Sequence, residues 1–282
     1  MPADILYLAL LCAATIFGFW IALWLISLAI DDSSIGDPLY PVGMAITAGV
    51  FYLICDGNPA RQNLILGLTL IWAARLAWHI GARNWGKEDP RYARLRTHAA
   101  SLGQNYAWYS LTHVFLSLGA ASGVAIAFPL FLAQRTPEPA LGALALAGTV
   151  LFCIGLTLET VADIQLRRFL RDPSHHNQVM RSGLWRYSRH PNYFGEFLVW
   201  CGFFLIALET PWGWLAIVSP LTLAYILLGP LGIGLVERRM RKKRPEAFAD
   251  YKRVTSAFIP WPRTKPGGRQ APAGSRASAR RL

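Results

Sequence analysis

The chain has 282 residues, of which 54% are hydrophobic and 16% charged, and its formal net charge is +12. This composition is typical of polytopic membrane proteins and excludes an ordinary soluble domain. It also argues against nucleic acid as a partner, because all but three of the 28 Lys and Arg residues fall in three segments that alternate with apolar runs.

Seven apolar runs are long enough to cross a bilayer as helices. They cover residues 5–29, 39–55, 64–80, 110–133, 140–159, 193–208 and 212–236. The first run has no Lys or Arg before it and is too long for a signal-peptide core, so we expect it to remain as a membrane helix. The sequence therefore predicts an all-α integral membrane protein, a bundle of seven transmembrane helices.

The distribution of charge predicts the orientation of this bundle. Alternation from an outside N-terminus places all three basic segments on one side, which is cytoplasmic by the positive-inside rule. We expect a multi-pass protein of a bacterial inner membrane, with the N-terminus outside and the C-terminus cytoplasmic. Residues 1–262 are predicted to form one membrane domain. Residues 263–282 are rich in Gly, Pro, Ala, Ser and Arg, and are predicted to be a disordered basic tail that contacts anionic lipid.

The loop after the first run carries three aspartates and no basic residue. Asp32 is predicted to cap a helix, because a carboxylate accepts hydrogen bonds from free amides at a helix start. Asp37 has two interpretations. It is either a second cap or, since it leads into the bundle interior, a carboxyl group that burial keeps neutral as a proton donor.

Charged residues inside the apolar runs need partners. Arg75 in the third run requires an internal ion pair or a water-filled cavity, and Glu159 is the expected partner. Glu159, Asp163, Arg167 and Arg171 recur every four residues and share one helix face. Ion pairs within the helix are the simplest explanation of this spacing. Two acids followed by two bases at a membrane exit also suit a ligand that carries ribose hydroxyls and phosphates.

The loop after the third run contains residues suited to phosphate and ribose, and Arg83 and Asn84 are its best candidates. The four cysteines lie in apolar runs without CxxC spacing or a histidine at ligand spacing, so we interpret them as packing residues and expect no metal. The adjacent His175 and His176 rarely suit one metal ion and receive no function.

The segment RYSRHPNYFGE, residues 186–196, joins a basic loop to the sixth run. His190-Pro191 is typical of a helix start, because proline needs no amide donor there. Asn192 and Glu196 lie four residues apart and so share a face at the end of the helix that attracts anions. The segment is either an anion and amide pocket or a juxtamembrane anchor whose arginines meet lipid phosphates.

Beyond the seventh run, Glu237 emerges from the helix, and Tyr251 is followed by the apolar stretch FIPWP. The stretch returns toward the membrane after a long basic segment. We predict that this part folds as a lid over the cytoplasmic mouth of the bundle.

Five motifs together resemble a known family. They are DDSSIGD, ARNWGKEDPRY, the ETVAD segment, GLWRYSRHPNYFGE, and ERRM followed by RPEAFADYKRVTSAFIPWP. The chain resembles the DUF1295 branch of the steroid 5-alpha-reductase-like membrane proteins over residues 31–262. The Gln-Glu pair of the steroid reductases corresponds here to Gly36-Asp37.

The resemblance implies a seven-helix reductase that binds NADPH at its cytoplasmic side. Such an enzyme reduces a carbon–carbon double bond conjugated to a ketone in a lipophilic, steroid-like or isoprenoid substrate. Asp37 is the implied catalytic acid. The implied cofactor-binding residues are Arg83, Asn84, Asp163, Arg167, Arg189, His190, Asn192, Tyr193, Glu196, Glu237 and Tyr251.

Two alternatives stay open. Membrane methyltransferases of the isoprenylcysteine and phospholipid type share the RHPxYxG junction and use S-adenosylmethionine. They usually carry paired glutamates after the last helix, whereas this chain has Glu237 followed by two arginines. The EDPRY loop and the length of the resemblance favour the reductase. The other alternative is a lipid-binding membrane protein without enzymatic activity, because a fold does not fix a function.

Overall fold

The structure is a computed structural model that describes residues 2–84, 88–137, 141–230 and 232–263. The side chains of residues 2–5, Asn84, Leu118 and Phe131 are outside this description. The predicted disordered tail falls almost entirely outside the described residues as well.

The described residues are almost entirely helical. The α-helices are α1 Pro2–Ala29, α2 Gly36–Ile54, α3 Pro59–Asn84, α4 Pro90–Ser101, α5 Tyr106–Ser110, α6 Ser122–Gln134, α7 Ala143–Arg171, α8 Pro191–Leu208, α9 Val218–Leu228, α10 Ile233–Lys243 and α11 Pro245–Val254. A π-helix, Leu111–Ala121, joins α5 directly to α6.

Within the described ranges, seven helical segments are long and apolar enough to cross a membrane, which confirms the predicted number. They are Leu6–Ala29, Ser33–Ile54, Pro59–Arg83, Tyr106–Gln134, Ala143–Arg171, Pro191–Leu208 and Gly213–Lys243. The prediction that the sixth helix starts at Pro191 is confirmed. Asp32 caps the turn before α2 as predicted, since its carboxylate accepts a 2.7 Å hydrogen bond from the Ser34 amide.

Several predicted boundaries are wrong. The helix α3 starts five residues before the predicted run, because polar residues extend it beyond its apolar part. The helix α7 continues beyond its apolar run to Arg171, as the four-residue spacing of its charged residues predicted. The seventh run is interrupted between α9 and α10. There Gly229 is extended, as a residue before proline is expected to be.

Glycines allow α7 and α8 to pack closely as an antiparallel pair. A methyl group at Gly155 would lie 2.6 Å from the carbonyl oxygen of Gly195, and one at Gly148 would lie 2.6 Å from that of Gly202. The converse distances are also 2.6 Å. Small residues let membrane helices approach backbone to backbone. This contact fixes α8, which carries Asn192 and Glu196, against α7, which carries Glu159 and Asp163.

The opposite end of the bundle is held by a buried ion pair. The guanidinium of Arg61 on α3 is fully buried, and it donates to Glu209 at 3.0 Å and to the carbonyl oxygen of Ile206 at 2.9 Å. Glu209 in turn accepts from the amides of Gly142 at 3.1 Å and Ala145 at 2.9 Å. One carboxylate therefore caps the start of α7 and ties it to α3 and α8.

Candidate functional site

Arg75 of α3 bridges two acids of α7 inside the bundle. Its guanidinium donates to Glu159 at 2.5 Å and also to Asp163. The predicted partnership of Arg75 with Glu159 is confirmed. The prediction of ion pairs within α7 is wrong: in the described structure, Glu159 and Asp163 pair across to α3, because their shared face is turned toward the bundle interior.

Glu196 of α8 lies beside this cluster. One carboxylate oxygen accepts a hydrogen bond from the Trp72 indole at 2.8 Å, and the other accepts from the Trp200 indole at 3.1 Å. The carboxyl groups of Glu159 and Glu196 are also close enough to interact electrostatically. The two indoles fix the orientation of Glu196 in an otherwise apolar region.

Asn192 shares the inner face of α8 with Glu196, as predicted. Its amide nitrogen donates to Asp163 at 3.1 Å. Its carbonyl oxygen is buried and has no hydrogen-bond partner in the described structure, and the same holds for one oxygen of Glu159 and for the hydroxyl of Tyr40. Buried polar groups normally have partners, so three orphaned atoms around one cluster indicate a place for a ligand.

His79 and Arg167 extend the cluster toward the basic end of the bundle. The His79 ring lies 3.4 Å from Asp163, and Arg167 approaches its other ring nitrogen at 2.7 Å. Arg167 thus belongs to the same network as Asp163 and Asn192.

Asp37 is paired with residues of α4. One carboxylate oxygen accepts from Arg91 at 2.5 Å and the other from the Tyr92 hydroxyl at 2.8 Å. We expected Asp37 to be an isolated acid in an apolar pocket, and it is instead paired with a cation. The reason is that the segment after α3 folds back and brings Arg91 to α2. Arg91 and Tyr92 both donate to Asp37, and Tyr92 is the one hydroxyl donor among the three. Burial and the adjacent Asp37 carboxylate raise the pKa of Tyr92 well above its ordinary value of 10.0, which keeps its hydroxyl protonated.

Several arginines surround Tyr193 at the basic end of the bundle. Arg91, Arg83 and Arg239 are close enough to interact with the Tyr193 hydroxyl electrostatically. Arg239 is also close to Arg91 and to Arg94. We call these four arginines, 83, 91, 94 and 239, the basic mouth. Cations that crowd together repel one another, so the basic mouth is suited to an anionic ligand. The side chain of the predicted Asn84 is outside the described residues.

Arg189, His190 and Glu237 form a second layer next to the mouth. Arg189 donates to Glu237 at 2.8 Å and to the carbonyl oxygen of Thr255 at 2.5 Å. His190 lies 3.5 Å from the same Glu237 oxygen and stacks on Tyr193, with ring centroids 5.4 Å apart. These three residues position Tyr193 and the start of α8.

Tyr251 attaches α11 to the loop before α8. Its hydroxyl donates to the carbonyl oxygens of Trp185 at 2.5 Å and Ser188 at 3.2 Å. The segment after α11 then runs beside residues 187–189, where Ser256 pairs with Ser188. Further along this segment, Phe258 packs edge-on against Phe194 with ring centroids 5.5 Å apart. Tyr251 therefore holds the returning segment in place, and it lies behind the cluster.

The structure thus sorts the predicted site residues into layers. Asp163, Arg167, Asn192 and Glu196 meet around Arg75, and Arg83 and Tyr193 lie at the basic mouth. The residues that sequence reasoning missed are Tyr40, Trp72, His79, Tyr92, Trp200 and Arg239, whereas Arg91 was among the residues of its loop that suit phosphate. Helical spacing carried a signal for some of them, because Trp72 and His79 lie three before and four after Arg75, and Tyr40 lies three after Asp37.

Among the described residues, no group of three or more His, Cys, Asp or Glu side chains is placed to hold a metal ion. The polar atoms of the site are carboxylates, amides, hydroxyls and guanidinium groups. They are suited to an organic ligand with phosphates and hydrogen-bonding groups.

The chain is 28% identical over 220 residues to an uncharacterized protein of Schizosaccharomyces pombe. The matched region covers 68% of this chain and 63% of the yeast protein, so the chain spans less than two thirds of the length of that curated relative. The model of DUF1295, described as a protein of unknown function, matches residues 23–255. Because this match covers most of the chain, including the site, the protein belongs to the DUF1295 family.

Proposed function

We propose that this protein is an NADPH-dependent membrane reductase that acts on a carbon–carbon double bond conjugated to a ketone. The substrate class is a lipophilic molecule, steroid-like or isoprenoid, that enters from the bilayer. The observation that carries this proposal is the position of the basic mouth directly beside a buried cluster with orphaned hydrogen-bond acceptors.

The basic mouth supports a cofactor with several negative charges. NADPH carries three phosphate groups, and guanidinium groups such as those of Arg83 and Arg239 suit phosphate oxygens. Arg91 is paired with Asp37 and Asp89 and adds positive charge beside them. S-adenosylmethionine carries no phosphate and has one carboxylate, so it offers this cluster a single negative charge, which its sulfonium and amino cations outweigh. Charge complementarity therefore favours the dinucleotide.

The orphaned acceptors support a carboxamide at the inner end of the cofactor. The carbonyl oxygen of Asn192 and one oxygen of Glu159 are buried and lack donors in the described structure. A primary carboxamide, such as that of nicotinamide, supplies two N–H donors. Each hydrogen bond to a buried acceptor removes an unfavourable desolvation cost of about 1–3 kcal/mol.

Residues of this chain then act on the substrate. NADPH held by the basic mouth and by Asn192 and Glu159 would supply a hydride for the carbon β to the ketone. When the substrate binds, Tyr92 turns its one hydroxyl proton from Asp37 to the ketone oxygen, where negative charge develops, and Arg91 remains as the hydrogen-bond donor to Asp37. A proton from water that enters through the mouth completes the addition at the α carbon. In this proposal Asp37, the predicted catalytic residue, acts by positioning Tyr92.

The charge rule supports a cytoplasmic location for the mouth. The basic segments flank its entrance and are expected inside, where NADPH is available. We therefore place the protein in a bacterial inner membrane, with its N-terminus outside and its C-terminus in the cytoplasm.

One observation favours the methyltransferase alternative. Glu159 and Asp163 pair with a single guanidinium, that of Arg75, and a third carboxyl group, that of Glu196, lies close by, so this local excess of acid is suited to a cationic ligand. The sulfonium and amino groups of S-adenosylmethionine are such cations. This alternative leaves the basic mouth without an explanation.

Ligand binding by the purified full-length chain distinguishes the alternatives. We expect NADPH to raise the melting temperature in detergent, NADH to raise it less, and S-adenosylhomocysteine to leave it unchanged. With NADPH bound, absorbance of the reduced nicotinamide should fall when lipophilic enones are added. Stabilisation by S-adenosylhomocysteine and not by NADPH would contradict the reductase proposal and support the methyltransferase. No stabilisation by either ligand would favour a lipid-binding protein.

A further inference from the structure

A second cavity lies away from the candidate site, between the end of α7 and the junction of α10 with α11. Its volume is about 350 Å³, and its walls include Phe169, Arg171, His175, Lys243 and Arg244. Arg171 follows Asp163 by eight residues, which is about 12 Å along a helix. The cavity is therefore separate from the cluster around Arg75.

The walls of this cavity are strongly basic. Three arginine or lysine side chains line it, whereas Asp172 is the one acid among its lining residues. Asp172 is already engaged, because it accepts from the Ser174 amide at 2.9 Å and lies 3.5 Å from His175. In the described structure Arg171 and Lys243 form no ion pair with an acid. Positive charge is thus available to an incoming anion.

The cavity is also held in shape. Arg244 donates to the carbonyl oxygen of His176 at 2.5 Å, which ties the α10–α11 junction to the loop after α7. The Nε of the same guanidinium is buried and has no partner among the described residues. On the other wall, the His175 ring stacks on Phe169 with centroids 4.4 Å apart. A fixed guanidinium with an unused donor is typical of a phosphate site.

We propose that this cavity binds a phosphate group, with Arg171, Lys243 and Arg244 as its ligands. Two planar guanidinium groups and one flexible ammonium group can surround the oxygens of one phosphate. The phosphate belongs either to an anionic phospholipid headgroup or to a soluble phosphate monoester. Leu170, which also lines the cavity, exposes 65% of its surface and provides an apolar edge next to the acyl chains of a lipid.

The test uses the full-length chain without any nicotinamide cofactor, so its outcome is independent of the proposed function. The protein is placed in two kinds of nanodisc, one of phosphatidylcholine alone and one that also contains phosphatidylglycerol. Glycerol 3-phosphate is then added to the nanodiscs of phosphatidylcholine alone. We expect phosphatidylglycerol to raise the melting temperature if the source is lipid. Glycerol 3-phosphate should raise it if the source is soluble.

Two matched variants separate the cavity from general surface charge. Lys243→Gln should weaken binding of the stabilising anion about tenfold, the effect of one lost charge-assisted hydrogen bond. Lys242→Gln removes the same charge from the preceding residue, which does not line the cavity, and should leave binding unchanged. Equal losses in both variants, or no stabilisation by either anion, would overturn the proposal.

Discussion

Arg75 of α3 and Glu159 of α7 meet at 2.5 Å within two segments that can cross the membrane. A charge in the bilayer core is costly unless it is paired, so each residue depends on the other. The same guanidinium also holds Asp163, which binds Asn192 of α8. One arginine therefore links the three helices that build the candidate site.

Replacing Arg75 should destabilise the whole bundle. Arg75→Met leaves Glu159 and Asp163 buried without a cation, and breaking a buried pair in this way costs about 3–5 kcal/mol. We expect a clear fall in melting temperature in detergent. Adding Glu159→Gln to Arg75→Met should recover part of the loss, because one uncompensated charge is removed. A single variant as stable as the parent would contradict the role of Arg75.

Gly195 should tolerate no side chain. Gly195→Ala places a methyl group 2.6 Å from the carbonyl oxygen of Gly155, so α7 and α8 must separate, at a cost of about 1–3 kcal/mol. Thermal unfolding in detergent measures the change. Gly49→Ala on α2 is the control, because a methyl group there meets nothing within 4 Å. If both variants unfold at the same temperature, the close crossing does not stabilise the bundle.

Asn192 should matter for cofactor binding more than for folding. Asn192→Ala removes the acceptor assigned to the carboxamide, and we expect about tenfold weaker NADPH binding, measured by quenching of tryptophan fluorescence. The matched control is Asn63→Ala, since the Asn63 amide bonds only Tyr52 among the described residues and lies near the other end of α3. Unchanged affinity in Asn192→Ala would remove this residue from the cofactor site.

Tyr92 should affect turnover and leave cofactor affinity intact. Tyr92→Phe removes the hydroxyl proposed to stabilise charge on the ketone oxygen, and we expect the rate to fall about 100-fold or more. The measurement is NADPH oxidation with a saturating lipophilic enone. Tyr106→Phe is the control, because that hydroxyl binds Ser33 at 2.9 Å outside the trio of Tyr92, Asp37 and Arg91. Full activity in Tyr92→Phe would show that another group donates the hydrogen bond to the ketone oxygen. The Tyr40 hydroxyl is the next candidate.

Glu209 should make stability depend on pH. Burial alone would raise the pKa of Glu209, but hydrogen bonds from the Ala145 and Gly142 amides and from Arg61 lower the pKa below its ordinary value of 4.5. A lowered pKa in the folded state contributes stability that is present above pH 4.5 and is lost as pH falls through the lowered value.

The corresponding variant is Glu209→Gln. It should lower the melting temperature at neutral pH, and its melting temperature should change less than that of the parent between pH 5 and pH 3, a range that brackets the ordinary pKa of about 4.5. Parallel pH curves for the two proteins would show that Glu209 is not responsible for the loss.

The apolar runs were sufficient to predict the helices. Seven spans, the start of α8 at Pro191 and the cap at Asp32 follow from hydrophobic length, proline geometry and carboxylate chemistry, all of which are local. The cysteines likewise form no disulfide. The start of α3 was predicted poorly, because polar residues continue that helix beyond its apolar part.

The site could be predicted only in part, since its partners come from distant parts of the chain. The four-residue spacing placed Asn192 with Glu196 and Glu159 with Asp163 on single faces, and Arg75 required an acid. Spacing along one helix does not show which neighbouring helix that face meets. For this reason the ion pairs expected within α7 are formed with α3 instead.

By itself the sequence determined that this protein is a seven-helix membrane protein of the DUF1295 family, with its basic residues gathered in three segments. The tertiary structure alone decided that Asp37 pairs with Arg91 and Tyr92, and that α7 and α8 touch through their glycines. It also decided which buried polar atoms are left without partners. The reason is physical: helix formation depends on neighbours in the chain, whereas ion pairs and close packing depend on residues that folding brings together.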